Sequence, residues 1–453
     1  MTAPTLREYQ TDAIQRIRLA VTQGSKSILA VSPTGSGKTT IGGAIAASAA
    51  GRGKRVLWLA HRNELVDQAF DRLREFDVNV GAITSTGSRP PNPYHPAQVA
   101  MIQTLLARNE RPAADIVIWD ECHHSPSDEW IALAKHYDRS ILVGLTATPE
   151  RSDGRGLGNV FDRIVVVASV QQLTDMGHLV PCEIVRPGRR LRAGSIAQRP
   201  VDAYLQHARG RRTICFSPSV KAAEQHAEEM NGLGVTARVV HGDMPAAERK
   251  LYLDTFKRGG IQVLVNVYVL TEGFDDPAVS AVILARGCGT AGTFLQMTGR
   301  GLRPAAGKTD CLLIDLHGVS YVHGHPADDR QYSLDGRGIS GADVEVDPQS
   351  SCRVCGAPIN AGEACAECGT APKEIEPPKV TGDPLVKYAA KRAEDPARRI
   401  ATYARWIADA IGKGHRVGAA KGKYKAVYGE WPPYAIEQGA RALLNGEKKE
   451  RVA

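Results

Sequence analysis

The sequence predicts two tandem α/β domains with parallel sheets, then a small zinc-binding module and a short helical C-terminal domain. Three observations predict this. Short apolar runs alternate with helix-compatible segments, and the alternation occurs twice in succession, the rhythm of strand–helix–strand units. Beyond the second series stand four cysteines in two C-x2-C pairs. A basic stretch with helical periodicity closes the chain.

The first series begins with "SILAV" (27–31), a short buried strand, followed by "SPTGSGKTT" and the helix-compatible "IGGAIAASAA". Strand, glycine-rich loop and helix form the context in which a P-loop pattern carries meaning. Backbone N–H groups of Thr34, Gly35, Ser36 and Gly37 can wrap phosphate oxygens. Lys38 would neutralise the outer phosphates and the Thr39 hydroxyl would hold Mg2+. Ser32 stands where the usual pattern has its first glycine.

"RVLWLA" (55–60), "IVIW" (116–119) and "ILVGLTA" (141–147) continue as strands, with an amphipathic segment at 64–76. In such sheets ligands collect at the carboxyl ends of the strands, which places Lys38, Asp120 and Thr146 at one edge. The stretch "IVIWDECHH" admits two readings. Asp120 can bind Mg2+ through water while Glu121 polarises the attacking water. Alternatively Cys122, His123 and His124 could ligate zinc, but three consecutive side chains diverge and no second Cys/His group lies nearby in sequence.

A second series reads "TICFS", "ARVVHG", "QVLVN", "SAVILA" and "CLLID" between 213 and 315, without a P-loop. It carries "TEGFD" (271–275) and "QMTGRGLRP" (296–304). Arg300 and Arg303, three apart on a helix, share a face. Opposite a P-loop domain they are candidate arginine fingers.

Cys352, Cys355, Cys365 and Cys368 form C-x2-C, nine intervening residues, then C-x2-C. Two thiolate pairs suit one tetrahedral zinc, with a redox dithiol as the competing reading. Residues 373–453 carry 17 Lys+Arg against 10 Asp+Glu, so nearly all of the net charge of +8 sits there. The segment 415–434 mixes cations, among them Lys421, Lys423 and Lys425, with Tyr424, Tyr428 and Trp431. Cations for phosphate and rings for bases suit a nucleic acid; the same rings could also pack a small helical module. A stripe of Tyr403, Trp406, Ile407, Ala410 and Ile411 is expected to be a core face.

At 453 residues the chain is long enough for about three domains of roughly 150 residues. No apolar run approaches the ~20 residues of a membrane helix, and "MTAPTLREYQ" lacks signal-peptide character. A cytoplasmic protein without membrane association is expected.

In order along the chain, "LREYQ" (6–10), "PTGSGKT", "AHRNELVDQ" (60–68), "MIQTL" (101–105), "DECH" (120–123), "TATP" (146–149), "FSPS" (216–219), "LTEGFD" (270–275) and "QMTGRGLR" (296–303) resemble the motif series of superfamily 2 helicases of the DEAD/DEAH type. The resemblance covers roughly residues 6 to 317. It implies two RecA-like domains, ATP and Mg2+ as cofactors, and nucleic acid as partner.

Carried over, Gln10 would read adenine, and Gly273 and Asp275 would approach the ribose and metal. Lys38, Asp120, Glu121, Gln296, Arg300 and Arg303 would form the catalytic set. His61, Arg62, Thr104, Ser217 and Thr271 would line the nucleic-acid track. "GLTATPERSDGRGLGNVFD" (144–162), "YSLDG" (332–336), the four-Cys segment and "AAKGKYKAVYGEWP" (419–432) further resemble the RadD-type DNA repair helicases.

That likeness implies a DNA helicase or translocase in repair, recombination or replication, acting on single-stranded or branched DNA, with a single-strand-binding or repair protein as a further partner. A duplex translocase or annealing motor, an RNA-directed ATPase and an ATP-gated DNA-binding switch stand as alternatives. The expected boundaries are 1–185 and 201–335 for the two RecA-like domains, 186–200 for an Arg-rich connector, 350–370 for the zinc module and 383–453 for the basic tail. The connector is shorter than that group's pattern leads one to expect.

Overall fold

The computed structural model describes residues 4–85, 89–124, 128–149, 156–192, 194–267, 269–270, 274–330, 332–335, 378–388 and 396–412, with 418, 420, 421, 423, 440 and 444 beyond them. Two compact units emerge, Met1–Ala390 and Lys391–Ala453.

The larger unit opens with α1 (Glu8–Thr22), β1 (Ser27–Val31), α2 (Lys38–Ala50), β2 (Val56–Ala60) and α3 (Asn63–Glu75). β3 (Val80–Ile83), β4 (Ala97–Met101), α4 (Ile102–Arg108), β5 (Ile116–Asp120), α5 (Asp128–His136), β6 (Ile141–Thr146), β7 (Arg163–Val166) and α6 (Val170–Asp175) follow. Seven strands lie in the order β3-β4-β2-β5-β6-β1-β7, every pair parallel.

Helices cover both faces of such a sheet, so its central strands are apolar throughout rather than alternating. β2 is buried at every residue, with Trp58 inaccessible, and Trp119 in β5 is equally buried. A methyl on Gly42 of α2 would come 2.5 Å from the Trp58 ring, so the indole has room only because that position is glycine. On α3, Leu65, Val66, Ala69, Phe70 and Leu73 form the buried stripe, a spacing that puts one helical face on the sheet.

The second half runs β8 (Cys182–Pro187), β9 (Ser195–Ile196), α7 (Pro200–Ala203), a π-helical turn Tyr204–Ala208, β10 (Thr213–Phe216), α8 (Val220–Gly232), β11 (Ala237–Val240) and α9 (Ala246–Lys257). It continues with β12 (Val263–Asn266), β13 (Ala281–Leu284), α10 (Ala291–Gly299), β14 (Cys311–Asp315), α11 (Ser320–His323), β15 (Lys379–Val380) and β16 (Leu385–Tyr388). Its sheet has the order β11-β12-β10-β13-β14-β8-β16 and is parallel except for β16, which lies antiparallel to β8.

Two expected boundaries shift. Residues 182–187 were divided between the first domain and a connector, yet β8 pairs with β14 in the second sheet. Elsewhere in the expected connector, β9 pairs with β15 in a separate two-stranded sheet, and Arg189 makes a two-pronged contact with Asp383 at 2.8 and 3.0 Å. β16 extends the sheet from a segment expected to belong to the tail.

A short strap links the two halves. Arg330 donates to the carbonyls of His323 and His325 beside the second sheet, at 2.8 and 3.0 Å. A few residues later, Tyr332 and Leu334 pack on the first domain's cluster around Leu157 and Phe161, and Gly158 N–H donates to Leu334 O at 2.9 Å.

The smaller unit is built on α12 (Pro396–Gly412). Tyr403, Ala404, Ile407 and Ala410 are buried with Ala420 and Ala440, and Trp406 is partly buried. Ile411, expected on the same stripe, is 59% exposed. The four cysteines of the expected zinc module lie outside the described residues, as does Lys425.

Candidate functional site

β1 feeds a loop shaped by Gly35 and Gly37, both in the left-handed region with φ of 86° and 80°. Gly37 precedes α2 without any side-chain cap, so the first N–H groups of a 13-residue helix open into the loop. Ser32 Oγ contacts Ser36 Oγ at 2.5 Å, bracing the loop from the position where the usual pattern has glycine. The loop is also held from α1: Tyr9 OH and Gln10 Nε2 both donate to Ser36 O, at 2.6 and 3.1 Å. Gln10 Oε1 accepts from Arg7 N–H at the start of α1. The amide expected to read a base is thus partly engaged in bracing the loop. The His178 ring lies 5.2 Å from that of Tyr9, and burial, then the Arg7 charge, lowers its pKa.

β5 ends at Asp120, which is buried. Glu121 then takes a left-handed conformation with φ of 47°, unusual for a residue with a side chain. Its carboxylate meets Lys38 Nζ at 3.1 Å, in a pair with side-chain exposures of only 9% and 14%. Cys122 is fully buried, and desolvation reinforced by Glu121 and Asp120 holds its thiol pKa well above the usual range. Among the described residues no cluster of three or more His, Cys, Asp or Glu could hold a metal ion by itself. A P-loop ammonium, a following hydroxyl and a buried carboxylate are instead a donor set that fits a nucleoside triphosphate with a divalent cation.

The second domain closes the site through α10. Gln296 Nε2 meets His123 Nε2 at 2.9 Å, and His123 Nδ1 meets Thr146 Oγ1 at 3.0 Å. Thr146 Oγ1 already donates its one proton to Thr148 O at 2.5 Å and accepts from Thr148 N–H. His123 must therefore donate from Nδ1, which leaves Nε2 to accept from the Gln296 amide. The approach of the two domains depends on small residues. A methyl on Gly299 would come 2.5 Å from Thr34 Cβ, and one on Gly292 would come 2.6 Å from Thr148 Oγ1.

Arg303 lies against the P-loop, its Cγ only 3.0 Å from where a methyl on Gly35 would sit. It also pairs with Asp275, and Arg300 donates to Phe274 O at 2.6 Å. Lys38, Asp120, Glu121, Gln296 and Arg303 therefore converge around the P-loop and β5.

The expected nucleic-acid residues are dispersed. His61 and Arg62 are half-buried beyond β2, and Gln103 Nε2 donates to His61 O. Thr104, on α4, and Ser217, just after β10, are buried, so their hydroxyls do not form an exposed track here. Thr271 and Gly273 lie outside the described residues. Lys421 and Lys423 occupy helical positions in the smaller unit, with Lys423 Nζ 5.2 Å from the centre of the Trp406 ring. Tyr9, His123 and His178 were not among the predicted site residues. His123 and Tyr9 belonged to quoted motifs without an assigned role in nucleotide binding; His178 acts through a contact that no local pattern records.

Arg300 and Arg303 were expected on one helical face, but α10 ends at Gly299 and both follow it in the turn that leads away. Two sheets facing each other across a P-loop, with these arginines supplied by the second, define a two-domain nucleotide-binding fold. Residues 3–151 match the family described as the res subunit of type III restriction enzymes, and residues 197–305 match the helicase conserved C-terminal domain. The two matched domains are those of superfamily 2 helicase-type, ATP-hydrolysing enzymes.

It is 30% identical over 315 residues to a 51.5 kDa protein of a Lactococcus phage, covering 65% of this chain and 66% of that one. It is 28% identical over 347 residues to the putative mitochondrial ATP-dependent helicase irc3 of Schizosaccharomyces pombe, covering 69% and 57%. The chain thus spans less than two thirds of the length of these curated relatives. A fragment of a putative HsdR subunit of a type I restriction enzyme from Vibrio vulnificus shares the fold, with a TM-score of 0.60 at 23% identity, covering 75% of this chain and 68% of that one. No helix among the described residues is long and apolar enough to cross a membrane.

Proposed function

We propose that the protein couples ATP hydrolysis between its two sheets to movement on, or remodelling of, DNA. The observation that carries this reading is the line Thr148–Thr146–His123–Gln296, which runs from the end of β6 past the Lys38–Glu121 pair into the second domain. A change at the P-loop has a direct route along it to the other sheet. Bound MgATP supplies the phosphoanhydride whose cleavage provides the free energy.

Within this reading Lys38 exchanges the Glu121 carboxylate for phosphate oxygens, which leaves Glu121 free to take a proton from water. Thr39 and Asp120 hold Mg2+, Gln10 recognises the base, and Gly273 and Asp275 lie by the ribose. Arg300 and Arg303 leave Phe274 and Asp275 to meet the developing charge. His61, Arg62, Thr104, Ser217 and Thr271 serve the DNA track, with Thr104 and Ser217 requiring a rearrangement to reach it. Lys421, Lys423 and Lys425 add phosphate contacts from the tail.

The restriction-subunit family match and the sequence resemblance to RadD-type repair helicases favour DNA over RNA and a role in repair. By the same resemblance, Cys352, Cys355, Cys365 and Cys368 hold one zinc ion, and a single-strand-binding or repair protein is a partner. Elemental analysis of the wild type and of Cys352→Ser/Cys355→Ser is expected to show one zinc per chain and its loss. Retention of the full equivalent would move the site elsewhere.

The function itself is tested by ATP turnover with single-stranded, duplex and forked DNA and with RNA. Stimulation by DNA is expected. Stimulation by RNA alone would make this an RNA-directed ATPase, and a wild type that does not hydrolyse ATP would end the motor reading.

A further inference from the structure

Lys308 lies on the turn between Arg303 and β14, outside every motif considered so far. Its half-buried ammonium donates to three main-chain carbonyls: Pro277 at 3.0 Å, Val279 at 2.5 Å and Arg303 at 2.6 Å. A lysine ammonium has three N–H donors, so all are committed. Two of the acceptors belong to the turn that follows Asp275, and the third belongs to the residue whose guanidinium holds Asp275. Arg303 is thereby fixed at both ends to one turn, by its side chain to Asp275 and by its carbonyl through Lys308.

We propose that Lys308 is a positioning residue for the cross-cleft arginine, a clasp that sets the Arg303 main chain so that the guanidinium is presented to the P-loop. The alternative is a lysine that merely stabilises a turn. Burying an ammonium is costly, and an apolar residue could fill the space without that cost. Burial pulls the Lys308 pKa down to about 8, with Cys311, Asp276 and Asp310 acting upward and Arg303 downward. Asp276 is itself paired with Arg212, and Asp310 with Arg211. Once deprotonated, Lys308 has two donors for three carbonyls, so the clasp loosens as pH rises through about 8.

The proposal rests on the reading of Arg303 as a residue that reaches the phosphates, and a double-mutant cycle separates the two. Full-length wild type, Arg303→Ala, Lys308→Met and the double variant are compared in steady-state ATP hydrolysis between pH 6.5 and 9. Lys308→Met is expected to lower kcat by roughly 10- to 100-fold with KM for ATP within about threefold. The double variant should be no more than about twofold slower than Arg303→Ala alone, because both changes remove the same placement. Wild-type kcat should fall above pH 8 while that of Lys308→Met does not, and Lys308→Arg should recover part of the rate. Should Lys308→Met fail to fold, Lys308→Gln, which keeps two donors, takes its place in the cycle.

A wild-type kcat in the Lys308 variant, losses that multiply, or matching pH profiles would overturn the clasp. A normal rate in Arg303→Ala would instead overturn the reading of the arginine itself.

Discussion

Glu121 shows how one residue's backbone can serve chemistry. Among the described residues three non-glycines have positive φ. Asp77 and Asn109 follow helix ends, where the left-handed conformation is a common stop. Glu121 instead follows a buried strand, and the turn of its backbone carries the carboxylate to Lys38 at about 1–2 kcal/mol of conformational cost. Replacing it with glutamine is expected to lower turnover by roughly 10²–10⁴-fold while nucleotide binding is retained or tightened, since Lys38 loses its competing partner. Single-turnover hydrolysis beside titration with a fluorescent nucleotide measures both, and unchanged turnover would remove Glu121 as the base. Lys38→Ala should abolish hydrolysis and leave DNA binding largely intact. Lys38, Asp120 and Glu121 were legible in the sequence because a strand end and a neighbouring loop confine their chemistry to a few consecutive positions. Tyr9 and Lys308 were not, because each acts on carbonyls supplied by other segments, and any carbonyl looks alike in sequence.

At the scale of elements, α10 depends on what its glycines lack. Gly299→Ala keeps a helix-compatible residue but places a methyl 2.5 Å from Thr34 Cβ. Its turnover is expected to fall by about 10²-fold with little change in thermal stability, because the clash lies between domains rather than within one. Near-normal turnover would show that the cleft tolerates the extra volume.

α8 carries a different burden. His226 is buried with neither ring nitrogen hydrogen-bonded among the described residues, and burial lowers its pKa to about 4. A depressed pKa means the unfolded chain takes the proton first. The stabilising contribution is therefore present above the unfolded value near 6.5 and is lost as pH falls toward 4, amounting to roughly 3 kcal/mol at most. Denaturant melts of His226→Leu should show a shallower decline across that window; an equal slope would assign the acid sensitivity to other groups. The strands at β1, β2, β5, β6 and β10 to β14 stood out in the sequence as apolar runs. β3 and β4 are broken by Gly81 and Gln98 and carry no comparable run; the apolar run of β7 follows β6 with no helix among the described residues between them to mark it, and β8 and β16 find their sheet only through partners far along the chain.

For the whole molecule, the excess positive charge divides the work. Residues 373–453 hold a net +7 of the total +8. Part of that stretch builds β15 and β16, so the informative truncation removes 391–453, the separate smaller unit. Basal ATP hydrolysis should survive, while DNA affinity falls and its salt dependence flattens by about 0.7 per lost phosphate contact on single strands or 0.9 on duplex. Binding isotherms at several salt concentrations decide this, and an unchanged slope would mean that the tail's charge serves solubility or a protein partner.

The strap acts, in mechanical terms, as a leash. Arg330 is moored to the second domain and Leu334 to the first. Four Cα-to-Cα steps separate these moorings, and an extended chain spans no more than ~3.6 Å per step, about 14 Å in all. While both moorings hold, the domains can tilt or slide but cannot part further at that edge. Wider opening must first peel Tyr332 and Leu334 from their apolar seat, so the stroke of any motor built on this cleft has an upper bound set by the strap's few residues.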